Sequence, residues 1–206
     1  MLGNRYFDEL KCLKWCEAEG VGYYPVTDHV YDAEYIEKYE KMAQTEMGEA
    51  LTASRLEIVE KYVHTGSVVD IGVGAGQFMD AAGCLGFDIN QKAVRELIKA
   101  GTFINPYNVL INHATFWDSL EHIHDIAEIL ANIDGYIFVS LPIFKSLEHV
   151  QKSRHFRPDE HCWYFTNEGF QKFIVAHGFN VVEYSDIETE LGREDIGLFV
   201  CKRSSK

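Results

Sequence analysis

VVDIGVGAGQFMDAAGCLGFDIN, residues 68–90, is the stretch that decides the fold. It opens on a short apolar run, Val68 to Ile71, broken only by Asp70. Three glycines at alternate positions follow (Gly72, Gly74, Gly76), then a brief helical pattern and a second apolar run that closes at Asp88. The pattern predicts strand, tight turn, helix and strand, which is half of a nucleotide-binding α/β unit. Glycine at these positions lets the backbone turn sharply and approach a ligand with no Cβ in the way. An acid at the end of the second strand can accept two hydrogen bonds from a ribose diol. Gln77 stands where a dinucleotide fingerprint has its last glycine, so a pyrophosphate on the helix N-terminus is not the ligand this loop favours. A bare G-x-G-x-G is also a plain turn, and the rest of the chain has to decide between the two.

Composition narrows the class. The chain has 206 residues, 47% of them apolar, which suits one domain with a sizeable core and perhaps an added cap. No apolar stretch approaches a membrane span, and the N-terminus lacks the apolar centre of a secretory signal. Five scattered cysteines, an odd number, predict a reducing, cytoplasmic setting rather than a disulfide framework. A formal net charge of −13 argues against contact with a nucleic-acid backbone and leaves a small acceptor open.

Working outward from the glycine stretch, residues 1–64 predict an N-terminal helical cap or lid and residues 65–206 the ligand-binding domain. Cys12 and Cys16, four apart, would share one helical face as packed thiols, since no second ligand pair stands nearby to complete a zinc site. Asp32 to Val63 is periodic as helix, with Gly48 predicted to separate two helices. Tyr31, Tyr35 and Tyr39 then lie on one face, either packed on the domain or covering a ligand as a lid. After Asp88, Asn90 should cap a helix over 91–99, ended by Gly101. Residues 102–108 lead quickly into Val109–Ile111, so one strand and crossover of a full doubly wound unit look shortened or lost. A strand ending at Phe116–Trp117 puts Asp118, Glu121 and His122 at the carboxyl edge of the sheet, where ligands bind. A further strand, Tyr136 to Leu141, is closed by Pro142. The segment 153–170 is dense in histidine, acids and aromatics, and reads either as one side of an acceptor pocket or as a plug for the sheet edge. Thr166 should cap the next helix. Phe179–Asp186 and Leu198–Cys201 predict a terminal antiparallel hairpin, and KRSSK a disordered tail.

D-x-G-x-G-x-G at 70–76, the acid at 88, FWDSLEHIHD at 116–125 and GYIFVSLPIF at 135–144 stand in one order. Together they resemble the class I S-adenosylmethionine (SAM)-dependent methyltransferases, in particular the small-molecule group that includes the ubiquinone-type O-methyltransferases. The resemblance covers about residues 68–142 and, more loosely, the chain to 200. It implies a Rossmann-like doubly wound α/β sheet, mostly parallel with a C-terminal antiparallel hairpin. It also implies SAM as cofactor, S-adenosylhomocysteine (SAH) as product, and a small molecule methylated at oxygen or nitrogen. Carried over residue by residue, Gly72, Gly74, Gly76 and Gln77 form the cofactor loop, and Asp70 orders it or receives the amino group. Asp88 takes the ribose, Ile89 follows it, and Phe116 and Trp117 flank the sulfonium. Candidate bases are His122, His161 and Glu160, with His155 nearby. The ubiquinone-type enzymes have E-x-x-E-H where this chain has Asp118-x-x-Glu121-His122. Glu121 and His122 are therefore read as capping the following helix or bonding within the loop, and no metal is assigned. The compressed region at 100–112 leaves no adenine contact to name. The alternatives are a SAM-binding protein without transferase activity, and a methyltransferase acting on nucleic acid or protein.

Overall fold

The computed structural model describes residues 12–25 and 33–205. In chain order a hairpin, β1 (Lys14–Cys16) and β2 (Val21–Tyr23), precedes two helices, α1 (Ala33–Ala43) and α2 (Glu46–Glu60). The glycine stretch then folds as expected into β3 (Val68–Ile71), α3 (Gln77–Ala82) and β4 (Leu85–Phe87). Beyond it come α4 (Gln91–Ala100), β5 (His113–Trp117), α5 (Ile126–Ala131), β6 (Tyr136–Phe144) and α6 (Leu147–Lys152). The chain ends with β7 (Trp163–Thr166), α7 (Asn167–Ala176), β8 (Phe179–Ser185), α8 (Ile187–Glu190) and β9 (Ile196–Arg203).

The main sheet runs β4-β3-β5-β6-β9-β8. Its first four strands are parallel, and β9 is antiparallel to both β6 and β8. Every residue of β3 is buried, as a strand covered on both faces requires. One face packs on α5 and α7 through Phe116, Ile129, Leu141, Phe170 and Ile174. The other packs on α2, α3 and α4 through Val59, Phe78, Leu97, Trp117 and Phe138. The fold is the doubly wound α/β sheet with a C-terminal antiparallel hairpin. Period two along β5 sends Phe116 and Trp117 to opposite faces, which matters for the site.

Several local expectations are corrected. Residues 14–16 are strand, so Cys12 and Cys16 do not share a helical face; both are exposed, and all five cysteines are unpaired. The β1–β2 hairpin extends a small wing in which β2 pairs with β7, and β7 with the last two residues of β6. The break between the first two helices falls at Gln44–Thr45, where the Thr45 side chain caps α2 by accepting from Gly48 N at 3.1 Å. Gly48 lies inside α2 because the helices touch there; a Cβ on it would sit 2.4 Å from Met42 O. Val109 and Leu110 form no strand and are exposed. The shortened unit survives as one parallel bridge between Gly86 and Phe103. Pro142 does not close β6, which continues to Phe144, and its register partner is Ile196. Tyr31 lies outside the described residues. Among the described residues no helix is long and apolar enough to cross a membrane.

Candidate active site

The glycine loop is a left-handed turn at each of its three glycines, with φ of 84° at Gly72, 53° at Gly74 and 77° at Gly76. Gly72 is fixed twice over, because a Cβ there would also lie 2.5 Å from Ser119 Cβ. Ser119 Oγ in turn donates to Ile71 O at 2.5 Å, which ties the end of β5 to the end of β3. Asp88 stands at the end of β4 and orders what surrounds it. One carboxylate oxygen accepts from Gly74 N at 3.1 Å and the other from Asn90 N at 2.8 Å. The Asn90 side chain then caps α4 by accepting from Lys92 N at 2.8 Å. Burial raises the pKa of Asp88, and these backbone donors oppose it. Asp70 is 2% exposed and accepts from Thr115 Oγ1 at 2.7 Å. Burial pushes its carboxyl up to about 7, against the pull of Thr115 and Arg55.

Over this loop lies a cavity of about 450 Å³. Its floor holds Asp70, Gly72, Gly74 and Gln77, and Asp88 and Ile89 stand at one side. Tyr39 and Met42 of α1 and the inner face of α2 roof it, Trp117 and His122 also line it, and Tyr107, edge-on to Phe87 at 5.9 Å, lies on the Asp88 side. Gly76 completes the loop just before α3. Phe116, by contrast, is fully buried in the core on the opposite face of the sheet and cannot flank a ligand in this cavity.

The proposed bases separate in the same way. His122 reaches the cavity wall. His161 is 4% exposed and lies behind it, the two rings meeting edge-on at 4.7 Å. Glu160 is buried in an ion pair with Arg157 at 2.5 Å, and His155 bonds the Glu194 carbonyl at 3.0 Å. Glu121 and His122 do not cap the next helix: they form a short 3-10 turn, and α5 starts four residues after His122. Instead Glu121, His122 and His161 bring one ligating atom each to within 4.8 Å of one another. A carboxylate with two imidazoles is a donor set that suits Zn²⁺ or Mn²⁺. Glu121 Oε2 and His161 Nδ1 are buried without a hydrogen-bond partner. Burial raises the Glu121 pKa well above the usual carboxylate range and drives that of His161 well down. Asp118, the first acid of D-x-x-E-H, is not part of this corner.

Asp118 belongs to a second constellation that no local pattern announces. Its backbone is left-handed (φ 54°), and Arg193 grips its carboxylate with two bonds of 2.8 and 2.9 Å. Arg55, from α2, adds a third at 3.0 Å and also holds Glu188 at 2.8 and 3.0 Å. Arg193 closes the ring on Glu188 at 2.5 Å. The two guanidinium groups hold the Asp118 pKa far below the usual range. Arg55, Asp118 and Arg193 line the cavity, and the Arg55 guanidinium lies 5.0 Å from the centre of the Trp117 ring.

A family described as a methyltransferase domain matches residues 39–184. No curated protein matches the chain by sequence. Among solved structures, the chain is similar to magnesium protoporphyrin IX methyltransferase from Synechocystis PCC 6803 with bound SAH. That match has 15% identity and a TM-score of 0.60, and covers 84% of this chain and 96% of the other. It is similar to a possible histamine N-methyltransferase from Thermotoga maritima at 16% identity and TM-score 0.59, covering 83% and 97%. The [4+2]-cyclase SpnF is also similar, at 12% identity and TM-score 0.56 over 80% and 84%, which shows how much chemistry this fold carries. With the family matched over most of the length and the glycine loop, acid and cavity in place, the chain belongs to the methyltransferase-domain family and is a methyltransferase whose cofactor is SAM.

Proposed function

We propose that the enzyme transfers the SAM methyl group to an oxygen or nitrogen of a small molecule. One observation carries the reading: a single cavity joins the glycine loop and Asp88 to the imidazole of His122, with Tyr107 and Asp125 beside it. The two ends have different work. In this reading the ribose hydroxyls bond Asp88 and the amino-acid tail lies towards Asp70, while Gly72, Gly74, Gly76 and Gln77 shape the loop around it. Trp117, rather than Phe116, borders the sulfonium. The acceptor enters at the His122 end. Its lone pair forms the new bond to the methyl carbon as the carbon–sulfur bond breaks, and SAH keeps that electron pair. The acceptor's proton leaves into the His122 corner. Holding the two reactants in line supplies much of the rate. His161 and Glu160 support this corner from behind and do not meet the acceptor.

Two of the similar proteins are named for small-molecule acceptors, a porphyrin and histamine, which supports the class. The net charge of −13 weighs against a polyanionic substrate. The helices α1 and α2 serve as the lid over a catalytic domain that begins near residue 65. The test is SAH formation from SAM across panels of phenols, carboxylates and amines, with His122→Ala beside the wild type. Turnover on a small molecule that His122→Ala loses while still binding SAH supports the proposal. Methyl incorporation into RNA or protein, with none into small molecules, contradicts it.

A further inference from the structure

The C-terminal half of α2 packs on the core through Leu56, Ile58 and Val59, while the part over the cavity is held by polar contacts. Of the residues of α2 only Val59 is buried, and Met42 and Met47 at the α1–α2 corner are 51% and 43% exposed. Yet Gly48, Leu51, Thr52 and Arg55, one face of α2, line the cavity. Two polar tethers bind this roof to the parts that hold the cofactor. At one end Gln77, which follows the glycine loop, donates from Nε2 to Ala43 O at 2.7 Å. At the other, Arg55 spans to the end of β5, the middle of β6 and α8, donating to Asp118, Ser140 Oγ (3.1 Å) and Glu188.

We propose that Arg55 is a positioning residue, whose bonds to Asp118 and Glu188 latch α2 over the bound cofactor and set how fast SAM and SAH leave. The latch is complete in charge: two guanidinium groups meet two carboxylates, and removing one member strands a buried charge. It is also specific in shape, because the planar fork of Arg55 meets Glu188 with two donors, which a lysine ammonium cannot reproduce. Ahead of Arg55, α2 buries no apolar side chain fully, so the strength of these tethers governs how that part of the roof sits over what lies beneath. The same guanidinium covers the Trp117 indole, so the latch also fixes the cavity wall beside the transferred methyl.

Glu188 gives the cleanest test, because it is fully buried, is no part of the cavity wall, and cannot touch the cofactor. SAH release is followed by stopped-flow tryptophan fluorescence in wild type, Glu188→Gln, Arg55→Lys and the double variant. The latch predicts that each single variant releases SAH about tenfold faster or more, and that the double is no faster than the worse single. A merely structural role lowers the melting temperature and leaves release from the folded protein unchanged. A folded Glu188→Gln that releases SAH at the wild-type rate overturns the proposal. Should that variant not fold, hydrogen exchange on the unmodified protein decides. Saturating SAH must slow the Leu51–Arg55 amides by about tenfold or more, and exchange unaffected by SAH overturns the proposal equally. Whether the wild type binds SAH at all is read first and separately.

Discussion

The floor and the roof of the cavity are held together on different scales of the chain. The floor is local. Gly74 N and Asp88 are fourteen residues apart and Asp88 and Asn90 two, so one short stretch orders its own loop. The roof is assembled from afar: Arg55 reaches Asp118 across 63 positions and Glu188 across 133. The floor is fixed by backbone geometry and the hydrogen bonds of Asp88, with Thr115 in β5 and Ser119 just past its end bracing it from the next strand. The roof requires the finished sheet, because Asp118, Ser140 and Glu188 come together only at its carboxyl edge. One ligand site thus combines a wall built mainly from one short stretch with a wall assembled from distant parts of the chain.

The largest effect is expected at Glu188. Glu188→Ala leaves Arg55 and Arg193 sharing one carboxylate inside the protein, and breaking a buried pair in this way costs about 3–5 kcal/mol. Thermal or urea unfolding should show that loss, whereas Lys152→Ala, which breaks an exposed pair with Glu148, should leave the unfolding curve nearly unchanged. On the floor, Gly72→Ala meets both a positive φ and the Ser119 side chain, for a cost of about 1–3 kcal/mol. Gly74→Ala has a positive φ with open space around it and should cost about 1–2 kcal/mol. A Gly74 variant less stable than the Gly72 variant would mean that the contact with Ser119 is not what fixes the loop.

A further effect is one of pH. The Asp70 carboxyl titrates near 7 in the folded chain and near 4 when unfolded, so the unfolded state gives up its proton first. Asp70 therefore favours folding most below about pH 4, and that contribution falls as the pH rises towards 7 and then levels off. Asp70→Asn should flatten the dependence of melting temperature on pH across this window. If Asp70 also receives the amino group of SAM, affinity should rise between pH 6 and 8 in the wild type and not in Asp70→Asn.

The floor was legible in the sequence because its chemistry is contiguous. Asp70, the three glycines and Asp88 lie in one stretch whose spacing prescribes strand, turn and strand. The roof was not. Arg55 reads as an ordinary helical residue and Arg193 as part of a turn, and nothing local pairs them with Asp118. Period two along β5 could have separated Trp117 from Phe116, since only one of two neighbouring strand residues can face the cavity. The 109–111 run looked like a strand because it is apolar, but with the crossover shortened it has no neighbour except one bridge at Ile111. His161 was found for its type and its density of neighbours, while its position behind His122 depends on β7 joining the edge of β6.

We propose that the glycine loop and Asp88 hold SAM beneath this roof. The most direct measurement is calorimetric titration of the wild type and of Asp88→Ala with SAM and SAH. The account predicts binding of both ligands to the wild type and a loss of about 100-fold or more in Asp88→Ala, since each hydrogen bond to a charged group contributes about 1.5–3 kcal/mol. Equal affinity in the two proteins, or no binding of either ligand to the wild type, would contradict it.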